Sequence, residues 1–312
     1  MHRDPIRGGV LRPGDTVMLV SPSGPAPQER VDIGVSMLTA WGLKVEIAPG
    51  ALDAFGYFAG PDDARLAGVN AALRDPAVRG VICTRGGYGA QRIVDGIDFE
   101  AVRADPKVFT GFSDITALQM AMWQRTGLAS VHGPMAAWNG DRTGDASIES
   151  LRTSLMSTDP LLIPARDDEE TSEISVPGPA VRGTLLGGNL CLLQASIGTP
   201  DMPDLTGAIL LLEEVEEPPY KVDRMLTHLR RCGALDEIAG IAIGQFTDCS
   251  DGWPTTIVDV ILDRLGDLGV PVLGGLPIGH GKDQLSVPIG TPAILDVAAR
   301  TLTVESAVSA DR

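Results

Sequence analysis

A serine in the first half of the sequence stands where a hydroxyl can be presented for nucleophilic attack. Ser113 follows a short apolar run and Gly111, and the residues after it, Asp-Ile-Thr-Ala-Leu-Gln-Met, predict a helix. A strand, a tight turn and a helix in this order expose the hydroxyl and direct the first N–H groups of the helix toward it, where they can stabilise an oxyanion. Ser113 is therefore a candidate nucleophile for acyl transfer, and the alternative is an ordinary helix N-cap, a position that favours serine.

A glycine-rich segment follows another apolar run. In Arg85-Gly-Gly-Tyr-Gly89, the glycines allow the backbone to approach a ligand closely and to offer N–H groups to an anion. The segment lacks the Gly-Lys-Ser/Thr ending of a phosphate-binding loop. It is either the second wall of an oxyanion hole or a plain turn.

Acidic residues come directly after the apolar run at 208–212. The segment Glu213-Glu-Val-Glu-Glu217 holds four carboxylates in five residues. Glu213 is nearest the expected strand, so it is the candidate for orienting a histidine inside a site. A solvated acidic turn and a divalent-cation site are the alternatives.

The chain contains four histidines, and a general base is most often a histidine. His280 lies between two glycines in Gly279-His-Gly281, a loop that can present an imidazole to substrate, and it is the best placed of the four. His132 is expected in a turn that lines the cleft. His228, on a partly apolar helix face, is expected to be structural, and His2 lies at the terminus.

The elements that carry these residues alternate between strands and helices in the first half. Apolar runs predict strands at 16–21, 44–48, 80–84 and 107–110, and amphipathic stretches predict helices from 28 to 40 and from 61. This alternation predicts a parallel sheet covered on both faces. Active sites in such sheets lie beyond the carboxyl ends of the strands, where Ser113 and the glycine segment stand.

The composition becomes charged and non-periodic after residue 160. We therefore expect a first domain at 1–160, a linker at 161–180 and a second domain at 181–312. In the second domain, apolar runs predict strands at 209–212, 238–244 and 270–273, with a terminal hairpin of strands at 293–296 and 301–305. Helices are expected at 220–232 and 255–268.

Composition and charge exclude several function classes. A chain of 312 residues with 44% hydrophobic and 21% charged residues is typical of a globular protein of two domains. Its net charge of −16 is repelled by nucleic-acid phosphates and anionic membranes, so neither is expected as a partner. Four dispersed cysteines, and an N-terminus without an apolar segment, favour a cytoplasmic protein without a cysteine metal site. No cofactor is expected.

Six motifs occur together in an order that one family shares. They are Gly86-Gly-Tyr-Gly89, Gly111-Phe-Ser-Asp114, His132-Gly-Pro134, Gly187-Gly-Asn189, Leu212-Glu-Glu with Glu217-Pro-Pro-Tyr220, and Gly279-His-Gly281. Through them, and over nearly its whole length, the sequence resembles the LD-carboxypeptidases (muramoyltetrapeptide carboxypeptidases), whose superfamily includes the microcin-C immunity peptidases. The resemblance implies an α/β fold: a flavodoxin- or Rossmann-like nucleophile domain, a C-terminal α/β or β-rich domain, and an active site in the cleft between them. It also implies a homodimer.

The resemblance assigns roles to individual residues. It implies a triad of Ser113 as nucleophile, Glu213 as acid and His280 as base, with no metal. It also implies an oxyanion hole of backbone N–H groups. The residues that would form that hole are Asp114, Gly86 and Gly87.

Further residues in or beside these motifs are expected to bind substrate. They are Arg85, Tyr88, His132 and Asn189. The family's acid motif commonly continues with Asp, so Glu214 departs from it at a position outside the triad.

The family's characteristic substrate is the amide between a diamino acid and a terminal D-alanine of murein peptides. The rival within the superfamily is hydrolysis of microcin-like or aminoacyl-nucleotide conjugates, which uses an aromatic residue just before the Gly-Gly-Asn motif. Residues 181–189, Val-Arg-Gly-Thr-Leu-Leu-Gly-Gly-Asn, contain no aromatic residue, which favours the murein peptide. A metal-dependent hydrolase using the acids at 213–217 and a non-catalytic binding protein are the remaining alternatives.

Overall fold

The computed structural model of the chain describes residues 4–140 and 142–311, so the position predicted for His2 lies outside the described residues. The strands of the first half are β1 (Gly8–Gly9), β2 (Thr16–Val20), β3 (Lys44–Ile47), β4 (Val78–Cys83), β5 (Val108–Gly111) and β6 (Ser130–His132). The α-helices of this half are α1 (Gln28–Ala40), α2 (Asp62–Arg74), α3 (Ala90–Ile93), α4 (Phe99–Ala104), α5 (Thr116–Thr126) and α6 (Asp145–Met156). Two single 3₁₀ turns lie at Val94–Gly96 and Ser113–Ile115.

The second half is richer in strands. They are β7 (Leu161–Pro164), β8 (Ser175–Val176), β9 (Val181–Asn189), β10 (Ile209–Val215), β11 (Gly240–Thr247), β12 (Val272–Leu273), β13 (Val287–Ile289), β14 (Pro292–Asp296), β15 (Thr301–Val304) and β16 (Val308–Ser309). Its helices are α7 (Leu190–Ala195), α8 (Pro219–Arg231) and α9 (Ile257–Leu265). No helix within the described parts of the chain is long and apolar enough to cross a bilayer.

The first sheet has six strands in the order β3-β2-β4-β5-β6-β13. The first five are parallel to their neighbours and are connected through helices, as the alternating pattern predicts. The predicted strands and helices of this half are therefore confirmed, and β6 is an additional strand. His132, expected in a turn, is the last residue of β6.

The second sheet has eight strands in the order β7-β15-β14-β9-β10-β11-β12-β8. Its four central strands, β9 to β12, are parallel, and β14 and β15 form the predicted antiparallel hairpin. The run at 209–212 is continuously apolar because a parallel strand buried on both faces has no solvent side, and all four residues are fully buried. The expected α/β fold with a strand-rich C-terminal half is confirmed.

The segment expected to link the two halves supplies both edges of the second sheet. Within 161–180, β7 pairs with β15 and β8 pairs with β12. Charged residues are common beside edge strands because they discourage pairing with a further chain, so the charged composition there accompanies an edge. The segment is therefore part of the sheet, and the predicted linker is wrong in that respect.

Two strands from the end of the chain return to the first half. β13 closes the first sheet by pairing antiparallel with β6, and β16 pairs in parallel with β1. The Arg7 guanidinium also donates a 3.1 Å hydrogen bond to Glu305. The two halves are consequently interleaved rather than joined by a single connection.

Candidate active site

Ser113 begins the 3₁₀ turn that follows β5, and its backbone has a φ of 64°. The N-cap position belongs to Phe112, so Ser113 does not have the capping role that was the alternative to a nucleophile. Left-handed backbone in a residue with a side chain costs about 1–2 kcal/mol, and such strain is concentrated at functional sites. Ser113 is partly exposed, and the tight turn places its hydroxyl at the carboxyl edge of the sheet.

The glycine segment after β4 lies against this serine. A Cβ placed on Gly86 would be 2.8 Å from Ser113 Cβ, 3.0 Å from Ser113 Oγ and 3.4 Å from the backbone nitrogen of Asp114. Only glycine permits such an approach, and Gly87 has a φ of 111° that also favours glycine. The structure thus brings together the hydroxyl and the backbone segments that the sequence assigns to an oxyanion hole.

The side chain of Asp114 links neighbouring loops to the turn that carries Ser113. It is buried and accepts hydrogen bonds from Ser23 Oγ at 2.5 Å and from the Ala90 backbone N–H at 2.8 Å. Burial raises the pKa of Asp114, although these two hydrogen bonds act in the opposite direction. Asp114 therefore ties the loop after β2 and the start of α3 to the turn that carries Ser113, a role that sequence reasoning missed.

Arg65 is a second support that sequence reasoning missed. Its guanidinium is buried and donates to the carbonyl oxygens of Pro22, Gly60 and Gly89, the last two at 3.2 and 3.0 Å. Those carbonyls belong to the loops that follow β2, β3 and β4, so one cation holds all three. Its position on an otherwise ordinary helix face gives no local sequence signal.

Glu213 and His280 form a hydrogen-bonded pair on the second-sheet side. Glu213 is fully buried near the carboxyl end of β10, and its Oε2 lies 2.7 Å from His280 Nδ1. Burial alone would raise the pKa of Glu213, but the imidazoles of His280 and His132 together hold it below its usual value. Because the ionised carboxylate accepts a hydrogen bond from His280 Nδ1–H, the other ring nitrogen of a neutral imidazole is left as a proton acceptor.

A glycine makes this pair possible. Gly279 has a φ of 139°, and a Cβ on it would lie 3.0 Å from Glu213 Oε2. The flanking glycine therefore lets the loop pass close over the carboxylate.

A cavity of about 440 Å³ joins the two groups of residues. Ser113, Phe112 and the glycine segment line one side, and His280 and Glu216 line the other. Within the described parts of the chain, no hydrogen bond joins Ser113 Oγ to the His280 ring. In structures without substrate such contacts are often long and shorten only in the reacting complex.

The four expected substrate-binding residues have different surroundings. Arg85 lines the cavity and donates a 3.0 Å hydrogen bond to the Pro25 carbonyl. Tyr88 is exposed and does not line the cavity, and His132 is fully buried. Asn189 is also buried, caps α7 by accepting from the Leu192 N–H, and donates to Glu214 at 2.8 Å. Of the four, Arg85 alone faces the cavity.

Two other acids of the 213–217 segment have partners of their own. Glu214 is buried and accepts from Asn189 and from the N–H groups of Cys191 and Val215, and burial together with the charge of Glu213 raises its pKa to about 7. Glu217 pairs with Lys221 at 2.9 Å. Across residues 4–140 and 142–311, no three His, Cys, Asp or Glu side chains are grouped to hold a metal ion.

The loop after β6 contributes cavity residues that the sequence did not single out. Trp138, Arg142 and Thr143 line the cavity, as does Gln284 from the loop after His280. The Arg142 guanidinium donates a 3.2 Å hydrogen bond to the His280 carbonyl, so this loop contacts the segment that carries His280. The His132-Gly-Pro134 motif that precedes the loop was its only sequence signal.

Two family models match the chain. Residues 17–133 match the LD-carboxypeptidase N-terminal domain, and residues 182–295 match the LD-carboxypeptidase C-terminal domain. Among solved structures, MccF in complex with glutamyl sulfamoyl guanosine has a TM-score of 0.89, covering 98% of this chain and 100% of that chain. At 23% identity, that likeness shows a shared fold.

Curated relatives match along nearly the whole length. A putative carboxypeptidase of Streptomyces coelicolor is 44% identical over 308 residues, 97% of this chain and 97% of the relative. A probable murein peptide carboxypeptidase of Bacillus subtilis is 36% identical over 307 residues, 96% of this chain and 94% of the relative. With both family models matched in order and relatives this similar from end to end, the chain belongs to the LD-carboxypeptidase family.

Proposed function

We propose that this peptidase is a serine enzyme that hydrolyses the amide bond between a diamino acid and the terminal D-alanine of murein peptides. The observation that carries the proposal is the 2.7 Å contact between Glu213 Oε2 and His280 Nδ1, beside a cavity shared by His280 and Ser113. A buried carboxylate that orients a histidine toward a nucleophile is the arrangement of the serine hydrolases.

The first half of the reaction forms an acyl-enzyme. His280 takes the Ser113 proton on the ring nitrogen opposite Glu213 while Oγ attacks the amide carbonyl carbon. The backbone N–H groups of Asp114 and the glycine segment receive the oxyanion, and ionised Glu213 stabilises the imidazolium. His280 then gives its proton to the leaving nitrogen, the C–N bond breaks, and D-alanine departs.

The second half returns the enzyme to its starting state. His280 takes a proton from a water molecule, whose oxygen attacks the ester carbon, and then returns that proton to Ser113 Oγ as the ester bond breaks. The products are a shortened peptide with a new carboxylate and free D-alanine, so one water molecule is consumed in each cycle. No group beyond the side chains and N–H groups of this chain is needed.

The murein substrate is supported by two observations. The Bacillus subtilis relative is named a probable murein peptide carboxypeptidase, and it aligns with almost the whole chain. Arg85 and Arg142 line the cavity and can attract the carboxylate at the end of a peptide.

An aminoacyl-nucleotide conjugate is the second candidate substrate. The strand β9 has no aromatic residue before its Gly-Gly-Asn motif. Tyr88 of the glycine segment and Tyr57 of the loop after β3 are both exposed, however, with ring centroids 5.8 Å apart. Such rings can stack on a nucleobase. The two exposed tyrosine rings are the observation that favours an aminoacyl-nucleotide substrate.

The experiment compares both substrates on the same enzyme. Wild-type protein is incubated with a synthetic murein tetrapeptide or with an aminoacyl sulfamoyl-adenosine, and the products are identified by mass spectrometry. We expect release of D-alanine from the tetrapeptide, and we expect Ser113→Ala to lower the rate by more than about 10³-fold. Ser36→Ala, at an exposed serine of α1, is the matched control and is expected to keep full activity.

Two outcomes would reject the proposal. Hydrolysis of the conjugate without hydrolysis of the tetrapeptide would reject the murein substrate in favour of the conjugate. Ser113 would remain the proposed nucleophile. Wild-type turnover by Ser113→Ala would remove the nucleophile itself.

A further inference from the structure

His132 is a buried histidine whose polar atoms lack partners. It is fully buried at the end of β6, where it pairs with Gly111 of β5 and with Val287 of β13. Among the residues that the structure describes, neither of its ring nitrogens has a hydrogen-bond partner. Buried polar groups are nearly always hydrogen-bonded, because an unpartnered one keeps its full desolvation cost.

Glu213 has a buried oxygen without a hydrogen-bond donor, whereas His132 lacks an acceptor. Its Oε2 contacts His280, but its fully buried Oε1 has no hydrogen-bond partner in the described parts of the chain. A buried ionised carboxylate is costly unless both oxygens have donors. The Asn189 amide also helps to lower the pKa of Glu213, but its 2.8 Å hydrogen bond goes to Glu214, so Glu213 Oε1 has no donor at hydrogen-bonding distance among the described residues. His132 has an N–H without an acceptor.

His132 and Glu213 both lie beside the end of β9. A Cβ on Gly188 would lie 3.2 Å from His132 Nδ1, and Gly188 precedes Asn189, which pairs with Glu213 in the ladder between β9 and β10. The Phe112 ring contacts both imidazoles, with centroid distances of 5.7 Å to His132 and 4.7 Å to His280. His132 thus lies behind the pair that faces the cavity.

We propose that His132 is a positioning residue that donates its ring N–H toward Glu213 Oε1, with at most one water molecule between them. This donor stabilises the carboxylate and fixes its orientation, so that Oε2 holds the base. The inference rests on the proposed function, because it takes His280 to be that base. His132 touches neither substrate nor the reacting atoms.

The charge state of His132 suits a neutral donor. Burial, followed by repulsion from His280, lowers its pKa to about 4 despite the attraction of Glu213. The titratable groups that act on this region are His132, His280 and Glu213, with Glu214 adjacent to Glu213. At neutral pH His132 therefore supplies a hydrogen bond without adding a positive charge that would compete with protonated His280.

The first test is the pH dependence of kcat/KM for His132→Leu, His132→Asn and His132→Gln. Loss of the donor leaves ionised Glu213 less stabilised, which favours protonation of His280. In His132→Leu we expect the acidic limb to move up by about one pH unit and kcat to fall about tenfold. At least one of the amide variants, which retain an N–H donor, is expected to return the limb to its wild-type position.

The second test does not depend on turnover. Because the chain has four histidines, ¹⁵N-histidine NMR resonances can be assigned by single substitutions. We expect His132 to remain neutral down to about pH 5 in the wild type, and the His280 titration to move upward in His132→Leu. His228→Leu, in the exposed contact of His228 with Gln194, is the matched control and is expected to leave the His280 titration unchanged.

These measurements separate the inference from the proposed function. If the tetrapeptide is not hydrolysed while His280 titrates as expected, the function is wrong and the positioning role stands. Protonation of wild-type His132 near pH 6.5 would overturn the inference without any variant. An unchanged His280 titration in all three folded variants would also overturn it, since a packing role alone predicts that result.

Discussion

The hydroxyl of Ser113 depends on a backbone conformation that serine rarely adopts. Its φ of 64° is imposed by the turn between β5 and α5, with Gly86 packed against its side chain. The imidazole of His280, the proposed base, is held by Glu213 at 2.7 Å. At the scale of residues, the candidate site therefore combines a serine in strained backbone, the proposed nucleophile, with a histidine, the proposed base, that is fixed by a buried carboxylate.

The strain predicts that glycine is more stable than alanine at position 113. Glycine enters the left-handed region without the cost of about 1–2 kcal/mol, but it loses about 0.5–1 kcal/mol more in conformational entropy than alanine. We expect Ser113→Gly to be more stable than Ser113→Ala by about 0.5–1 kcal/mol in urea unfolding, and both to be inactive. At Ser36, inside helix α1, the order is expected to reverse, because glycine is unfavourable there.

A lower free energy of unfolding for Ser113→Gly than for Ser113→Ala would contradict the prediction of backbone strain at this position. It would mean that the left-handed backbone costs less than the entropy of glycine.

At the scale of elements, the loops at the carboxyl edge of the first sheet are held by buried charges. Arg65 from α2 binds the carbonyls of three loops, and the Asp114 carboxylate binds Ser23 and the start of α3. These bonds fix the glycine segment after β4 against Ser113. The geometry of the proposed oxyanion hole is thus a property of several connected loops rather than of one turn.

The glycine segment gives the prediction at this scale. The Cβ of Gly86→Ala would meet Ser113 Oγ at 3.0 Å, while no positive φ opposes alanine there. We expect kcat to fall by about 10²-fold or more, as for loss of an oxyanion donor, with a stability change of about 1 kcal/mol. Gly68→Ala in helix α2, where a Cβ meets only ordinary contacts at 3.6 Å, is the control.

If Gly86→Ala retains wild-type kcat, the glycine segment is a plain turn. Equal losses in Gly86→Ala and Gly68→Ala would instead indicate a general effect on folding.

At the scale of the whole molecule, the two sheets are joined by exchanged strands. β13 leaves the second half to pair with β6, and β16 pairs with β1 at the other end of the chain. Val287 of β13 is fully buried and belongs to the apolar core of the second half. The first sheet therefore has no partner for its β6 edge without a strand from the second half.

This exchange predicts one unfolding transition for the whole chain. Trp41 and Trp138 belong to an apolar cluster of the first half, whereas Trp123 packs in the core of the second half and Trp253 is exposed there. In a variant with Trp123→Phe and Trp253→Phe, fluorescence therefore reports on the first half, and far-ultraviolet circular dichroism reports on both halves. We expect the two signals to change together in urea. Val287→Ala is expected to lower both midpoints equally, through a loss of about 2–3 kcal/mol.

Separate midpoints for fluorescence and circular dichroism would show that the halves unfold independently. A shift of only one midpoint in Val287→Ala would show the same. Ala substitution at exposed Ile33 of α1 is the control, with little effect on either midpoint.

Most of the elements, and the order of the candidate site residues, could be predicted from the sequence. Strands such as β2 and β10 are continuous apolar runs, and helices such as α1 and α8 follow local periodicity, so neighbouring residues suffice to identify them. Ser113, Glu213 and His280 each follow an apolar run or lie between glycines, and the family motifs relate them to one another.

The tertiary structure alone decided which of these residues face the cavity and which support them. His132 and Asn189 lie in motifs like those of Ser113 and His280, but both are buried. The return of β13 and the edge pairing of β7 and β8 likewise depend on strands distant in the sequence. Burial and strand pairing are set by such distant partners, whereas periodicity and turn chemistry are local, and only local information can be read from a single sequence.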